Sequence, residues 1–334
     1  MPAAIAAIGV HLPERVLTNE DLAAEFPDWT VAKIAGKTGI DGRHIAADDE
    51  FSSDLAVGAV RALQRDHDVD LSTIDHLIVV TQTPDHPMPA VSSIVHGALG
   101  LPTDCGTVDL ALGCSGYVHG LGLASALLDA GQASRVLLVT ADTYSRLLNP
   151  ADRGVRTIFG DGATATLLEP AAPGRGASAF VYGSEGSGGG ALCVPGGGLR
   201  DGGLPEAADP ARRGLTASGA DLYMDGPAVF EFTLRVVPPA VERVLAKAGV
   251  ERDAIDTWVF HQANAFMLGH LRRKLGVPED RFVVDLADVG NTVSSTIPIA
   301  LARAKDRGAL AEGSRSLLLG FGVGLAWSGA IIDW

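Results

Sequence analysis

A seven-residue pattern occurs twice in the chain. Val69-Asp70-Leu71-Ser72-Thr73-Ile74-Asp75 returns as Val250-Glu251-Arg252-Asp253-Ala254-Ile255-Asp256, and each copy follows a helix-like stretch and precedes an apolar, strand-like one. Self-similarity of this kind is the signature of a duplicated unit. Gly113-Cys114 and Gly290-Asn291 lie at nearly the same separation. Each pair opens a stretch of helical character that leads to a buried strand, at 136–139 and 317–319. The chain therefore reads as two copies of one unit, residues 1–170 and 171–334. A pseudo-two-fold axis between them would bring the Cys114 and Asn291 helix starts together at the centre. The length of 334 residues suits two halves better than one small domain.

Between the repeats, helices alternate with wholly apolar strands, which gives α/β layers. Strands are expected at 3–10, 74–81, 107–112, 135–140, 257–261 and 316–320, with 158–168 following a loop. Helices are expected from Thr18 or Asn19 to Phe26, at 51–65 with Ser52 or Ser53 as cap, and at 91–99, 118–128, 266–275 and 296–304. The run 229–248 is helical, with a break or kink expected at Pro238-Pro239. Residues 33–45 carry Gly36, Gly39 and Gly42 and read as loop. Residues 171–214, rich in Gly and Pro, read as connector and surface loops.

The formal net charge is −14. Such a surface does not suit nucleic acid or an anionic membrane, which need a basic footprint. Three cysteines, Cys105, Cys114 and Cys193, fit neither a disulfide framework nor zinc spacing. They point to a reducing cytoplasm. No apolar run reaches membrane-spanning length, and the N-terminal residues lack signal-peptide character.

Cys114 stands where a strand hands over to a helix of small and apolar residues. There the first-turn N–H groups and the helix dipole favour negative charge, so a lowered thiol pKa and a nucleophilic role are expected. A small buried cysteine that only packs is the alternative. His261 ends a strand, in His261-Gln262-Ala263-Asn264, and is either a reacting group or a histidine bonded to backbone. Asn291 is either a functional carboxamide or a helix N-cap. Gly322 and Gly324 follow the last expected strand, where they serve close packing or a tight turn. Phe159-Gly160-Asp161-Gly162 reads as a structural turn. Gly36-Lys37-Thr38 is no phosphate loop, because Val31 stands where the first glycine would be. The glycines of 183–203 follow no dinucleotide fingerprint. Arg272-Arg273-Lys274 reads as a solvated helix end.

Taken in order, these pieces resemble the thiolase superfamily, and within it the ketoacyl-[acyl-carrier-protein] synthase III family. The resemblance spans nearly the whole chain. It rests on Lys37-Thr38-Gly39-Ile40, Arg43-His44-Ile45-Ala46, the cysteine elbow, Asp152-Arg153-Gly154, Phe159-Gly160-Asp161-Gly162, the His-Gln-Ala-Asn run, Gly290-Asn291-Thr292 and Phe321–Trp327. It implies a five-layered αβαβα fold of two similar halves, in a homodimer. It implies that Cys114 takes an acyl group from a thioester, with the backbone N–H groups of Cys114 and Val323 as oxyanion hole. His261 and Asn291 would then donate hydrogen bonds to a malonyl-type thioester as it loses CO₂, stabilising the enolate that attacks the acyl-cysteine. The thioester carries the activation, so no metal or redox cofactor is expected. Coenzyme A thioesters and acyl carrier protein are the implied substrates and partners.

Several positions depart from the family pattern. The family grips the adenine of coenzyme A between a tryptophan and an arginine; the arginine is Arg153, but Lys33 stands at the tryptophan position and Lys37 at a neighbouring arginine. Two basic positions used for carrier docking carry Glu231 and Phe266. The aromatic residue that reaches into the partner's pocket is Met88. Asn264 and Phe266 join Lys37, Arg153 and Met88 as expected substrate-binding residues. These changes point to an unusual acyl group or specialised metabolism. An acyltransferase that moves its acyl group to a hydroxyl or amine without decarboxylation is the alternative activity, and a non-catalytic partner subunit is a third; Asn291 favours the condensing enzyme.

Overall fold

The structure, a computed structural model, describes residues 2–199 and 219–334. Among these the strands run β1 (Ala3–His11), β2 (Arg15–Thr18), β3 (Gly42–Ile45), β4 (His76–Val80), β5 (Gly106–Leu110), β6 (Val136–Asp142), β7 (Gly162–Pro170), β8 (Gly176–Ser184), β9 (Leu192–Cys193), β10 (Tyr223–Met224), β11 (Thr257–Phe260), β12 (Arg315–Gly322) and β13 (Ala326–Asp333). Two large sheets result, in the orders β1-β7-β6-β4-β5 and β11-β12-β13-β8.

The two sheets share one topology. In each, the first strand pairs antiparallel with the last, β1 with β7 and β8 with β13. The last pairs antiparallel with its predecessor, β6 or β12. That predecessor pairs parallel with the strand following the seven-residue repeat, β4 or β11. Beyond β11 a single parallel bridge joins Trp258 to Phe282, in the place that β5 takes beside β4. The repeat has a mechanical job at its last residue. Asp75 accepts from the N–H groups of Ser134 (2.6 Å) and Arg135 (3.2 Å). Asp256 accepts from the N–H of Arg315 at 2.8 Å. Each aspartate thus staples the approach to one parallel strand onto the start of its neighbour.

Helices fill the three remaining layers. Helix Ser52–His67 turns Leu55, Ala56, Ala59, Val60 and Leu63, all buried, onto the outer face of the first sheet. It lies close on β1 because Gly9 has no side chain; a Cβ there would sit 2.4 Å from the Leu63 nitrogen. Helices Gly116–Asp129 and Thr296–Asp306 are sandwiched between the sheets in one apolar cluster with Ile78, Val80, Leu138 and Leu318. Helices Gly226–Ala248 and Ala265–Leu275 cover the second sheet's outer face. Each buried Leu, Val or Ile in these layers contributes about 1.5–3 kcal/mol. The result is the five-layered αβαβα thiolase-like arrangement of two similar halves.

Several local expectations need correction. Residues 31–38 form a helix, not loop, because Thr30 caps it by accepting from the Lys33 N–H (3.2 Å) and Gly39 ends it in the left-handed conformation. Helix Ser52–His67 is not capped by serine; Asp54 accepts from the Phe51 N–H at 2.9 Å and serves that end. Helix Gly226–Ala248 runs unbroken through Pro238-Pro239. Its buried stripe from Val229 to Leu245 continues on both sides of the prolines, so packing outweighs an interior proline penalty of about 3 kcal/mol. The supposed connector contains β8, a full member of the second sheet, and the strand ending at Gly320 is not the last, since β13 follows Gly322 and Gly324. Residues 200–214 of that connector lie outside the described residues.

The seam between the central helix and the second sheet depends on Gly320, where a Cβ would fall 2.6 Å from the Cys114 carbonyl oxygen and 2.8 Å from the Ser115 Cα. Gly320→Ala is expected to lower stability by about 1–3 kcal/mol, the usual range for forced overpacking. Gly97→Ala, with nothing within 4 Å of the added carbon on helix Val91–Leu99, should be neutral or stabilising. Paired thermal melts check this; equal melting temperatures for the two variants would contradict the packing.

Candidate active site

Cys114 sits between the end of β5 and the helix that begins at Gly116, with Ser115 as its N-cap. The seam is tied from the other half by Ser328, whose hydroxyl donates to the Ser115 carbonyl at 2.8 Å. The sulfur is buried, 6% exposed. Backbone N–H groups of Val323 and of Cys114 itself point at it and favour the thiolate, but burial dominates and pushes the thiol up to about 12, with Asp142 acting in the same direction. The expectation of a lowered pKa is therefore wrong for the resting chain. Desolvating a thiolate costs more than two amide donors return.

His261 follows β11 directly, its backbone N–H donating to Leu319 on β12 at 2.9 Å. Its ring is buried and hydrogen-bonds through Nδ1 to the Thr296 hydroxyl at 2.7 Å. Burial among apolar groups lowers its pKa to about 3, so the imidazole is neutral. Asn291 is gripped from the first half: its N–H donates to the Ile158 carbonyl (2.9 Å) and its carbonyl accepts from the Gly160 N–H (3.0 Å). Gly290 makes this approach possible, with a φ of +70° and space for no Cβ, which would lie 2.8 Å from the Ile158 oxygen. Asn291 does not start an α-helix; a 3₁₀ turn, Val293–Ser295, intervenes before Thr296. Its Oδ1 accepts from the Val293 N–H at 2.9 Å, which leaves the Nδ2 hydrogens to donate elsewhere. The N-cap reading does not hold, since Thr292 and Ser295 precede the 3₁₀ turn and the helix, and the Asn291 side chain instead braces the backbone entering that turn.

Cys114, His261 and Asn291, far apart in the chain, line one cavity of about 460 Å³. Asn264 and Phe266 line it too, with Phe230, Phe159, Met224 and Gly322 among its walls. Asn264 caps helix Ala265–Leu275, its Oδ1 accepting from the Met267 N–H at 2.8 Å. Phe266 is 54% exposed and packs against Phe230 and His270, with ring centroids 5.7 and 4.3 Å away.

Lys37 and Arg153 are not among the residues lining this cavity. They meet at the surface around an aromatic side chain that the sequence reading missed. Trp29 carries Lys33 Nζ at 5.3 Å, Lys37 Nζ at 5.2 Å and the Arg153 guanidinium at 5.5 Å from its ring. A tryptophan is therefore present four residues before the position where one was sought. The spacing Trp29, Lys33, Lys37 at helical intervals was the available signal. Met88 is 82% exposed and does not line its own chain's cavity.

Comparison with known proteins places the chain in one family. Family models described as 3-oxoacyl-[acyl-carrier-protein (ACP)] synthase III match residues 108–186, and its C-terminal part residues 245–334. A beta-ketoacyl-[acyl-carrier-protein] synthase III of Symbiobacterium thermophilum is 37% identical over 333 residues, covering 100% of this chain and 98% of the relative. A crystal structure of a 3-oxoacyl-(acyl-carrier-protein) synthase III superposes with a TM-score of 0.93 at 46% identity, covering 100% of both chains. The priming β-ketosynthase of a polyketide biosynthetic pathway gives 0.86 at 30% identity, covering 99% of this chain and 96% of the other. Fold and cavity define a thiolase-fold acyltransferase. The chain belongs to the ketoacyl-[acyl-carrier-protein] synthase III family and is a condensing enzyme of that type.

A buried thiol of this kind should alkylate slowly at neutral pH. The iodoacetamide rate at Cys114 is expected to keep rising through pH 9, as the thiolate fraction grows below a pKa of about 12. A plateau reached below pH 8 by intact-mass kinetics would contradict the desolvation argument.

Proposed function

We propose that Cys114 is the nucleophile of a two-stage reaction and that His261 and Asn291 serve its second stage. In loading, Sγ attacks the carbonyl carbon of an acyl thioester. The N–H groups of Cys114 and Val323 receive the developing oxyanion, and the donor thiol departs. In condensation, the thioester oxygen of a malonyl-type substrate accepts hydrogen bonds from the imidazole and the carboxamide. CO₂ leaves, negative charge moves onto that oxygen, and the carbanion attacks the acyl-cysteine carbonyl, releasing Sγ. Neutral donors fixed where charge develops are worth most in a cavity that excludes water. The observation that carries the reading is the convergence of a thiol, an imidazole and a carboxamide on one cavity, the carboxamide with Oδ1 already engaged. That last detail favours decarboxylation over simple acyl transfer, because it leaves Asn291 as a donor to oxygen.

The cluster of Trp29, Lys33, Lys37 and Arg153 is proposed to take the nucleotide end of coenzyme A: an aromatic face for adenine, cations for phosphates. Asn264 and Phe266 would then flank the pantetheine arm, and Met88 would reach the acyl pocket of a second copy in a homodimer. An acyl carrier protein is the other proposed deliverer. The acidic Glu231 and the aromatic Phe266, at positions where the family docks it with basic residues, support a specialised role, as does the likeness to a priming ketosynthase. The unit boundary at 170/171 and a cytoplasmic setting belong to the same proposal; among the described residues no helix is long and apolar enough to cross a membrane.

Intact-mass spectrometry against a panel of acyl-coenzyme A and acyl-carrier thioesters tests the first stage. A single acyl addition that Cys114→Ala abolishes is expected; no addition with any donor would sink the reading. Asn291→Ala should acylate normally yet release CO₂ from a malonyl thioester about 10²–10³-fold more slowly, the usual loss for one donor to a developing oxyanion. Equal loss of both steps would refute the division of roles.

A further inference from the structure

Among the described residues Val293 is the one β-branched residue with a positive φ, +56°. The left-handed conformation brings Cβ close to the carbonyl oxygen, and a branch at Cβ worsens the crowding. Such a residue persists only where its surroundings over-determine it. Three contacts do so here. The Val293 carbonyl accepts from the Thr296 hydroxyl at 3.1 Å. The next residue, Ser294, donates its N–H (3.2 Å) and its hydroxyl to Oδ2 of the buried Asp142. The Val293 side chain is fully buried and faces Gly113, where a Cβ would lie 3.0 Å from Val293 Cγ1.

The strained turn has one visible product. It presents the Val293 N–H to Asn291 Oδ1 at 2.9 Å. A carboxamide free to rotate could offer either its oxygen or its nitrogen to the cavity. With Oδ1 held, Nδ2 is the atom left to donate. The other Asp142 oxygen accepts from the Gln82 N–H at 2.8 Å, and the Gln82 side chain lies against Gly113, the neighbour of Cys114. We infer that Asp142 and Ser294 are positioning residues, a clamp that keeps Val293 in its strained conformation and thereby aims the Asn291 carboxamide. This rests on the role proposed above for Asn291 and adds what orients it. Neither residue needs to touch substrate. Without the clamp, the strain turns Val293 toward negative φ and carries its N–H away from Oδ1.

Ser294→Ala removes the hydroxyl from the clamp. Acyl loading of Cys114, read by intact mass, should stay close to wild type. CO₂ release from a malonyl thioester should fall about ten-fold or more, the scale on which an ångström of misplacement is felt. Ser294→Thr keeps the hydroxyl and should keep the rate. The deciding variant combines Ser294→Ala with Val293→Gly. Glycine holds a positive φ without steric cost, so the double variant should release CO₂ as fast as Val293→Gly alone. A loss that glycine does not suppress, equal slowing of both stages in Ser294→Ala, or no slowing at all would overturn the inference. Where Ser294→Ala does not fold, Ser294→Cys, with its weaker donor, repeats the comparison. A crystal structure of the Ser294 variant gives a readout independent of turnover: an Asn291 carboxamide still seated on the Val293 N–H would refute the clamp. Failure of the functional reading is recognised separately, as a wild-type protein that takes no acyl group or releases no CO₂.

Discussion

A carboxyl group with no exposure to water holds the centre of the molecule together. Asp142, at the end of β6, accepts from the Gln82 N–H (2.8 Å), the Ser294 N–H (3.2 Å) and the Ser294 hydroxyl. One residue of the first half thereby fixes both the segment after β4 and the turn that follows Asn291 in the second half. Beside it runs a ladder of hydroxyls, with Thr140 Oγ1 at 2.7 Å from Thr164 Oγ1 and 2.8 Å from Ser295 Oγ. Burial pushes the Asp142 carboxyl up to about 7 against these hydrogen bonds. Leaving such a group without its partners costs several kcal/mol, so the two halves have one register in which this seam is satisfied. The site inherits its geometry from that register.

The duplicated architecture was legible because the repeat ends in an aspartate whose task, stapling a strand to a neighbour 59 residues onward, is the same in both copies. Cys114, His261 and Asn291 stood out because each lies in a connection beside regular structure, between β5 and the central helix, after β11, and before the 3₁₀ turn, and the fold brings the three to one cavity. What escaped was relational. Thr296 and Asp142 look like an unremarked helix residue and strand residue, and only the folded chain puts the first against an imidazole and the second against the turn after Asn291. The direction of the Cys114 shift escaped too, because helix-end amides are visible in a sequence and the desolvation of a sulfur by distant elements is not. Strands β8 and β13 were hidden among glycines that serve packing against Trp327 and the sheet rather than loops.

Charge is distributed unevenly for a chain of net −14. Lys33, Lys37 and Arg153 gather on Trp29 at one surface, with Asp28 3.9 Å from Arg153 as the local counter-charge. On an acidic body such a cationic spot concentrates field and draws small anions to one place while the remaining surface turns them away. The cavity that holds Cys114, His261 and Asn291 is lined largely by apolar side chains, a surface that suits uncharged groups.

Gly322 sets the last constraint. A carbon added there would lie 2.6 Å from Sγ, inside contact distance. The sulfur is left bare on that flank only because nothing is attached to the backbone beside it. A lone methyl at this position would force Cys114 to shift while no acid, base or nucleophile in the sequence had changed. Scanning for acids, bases and nucleophiles alone would pass over such an altered descendant as intact.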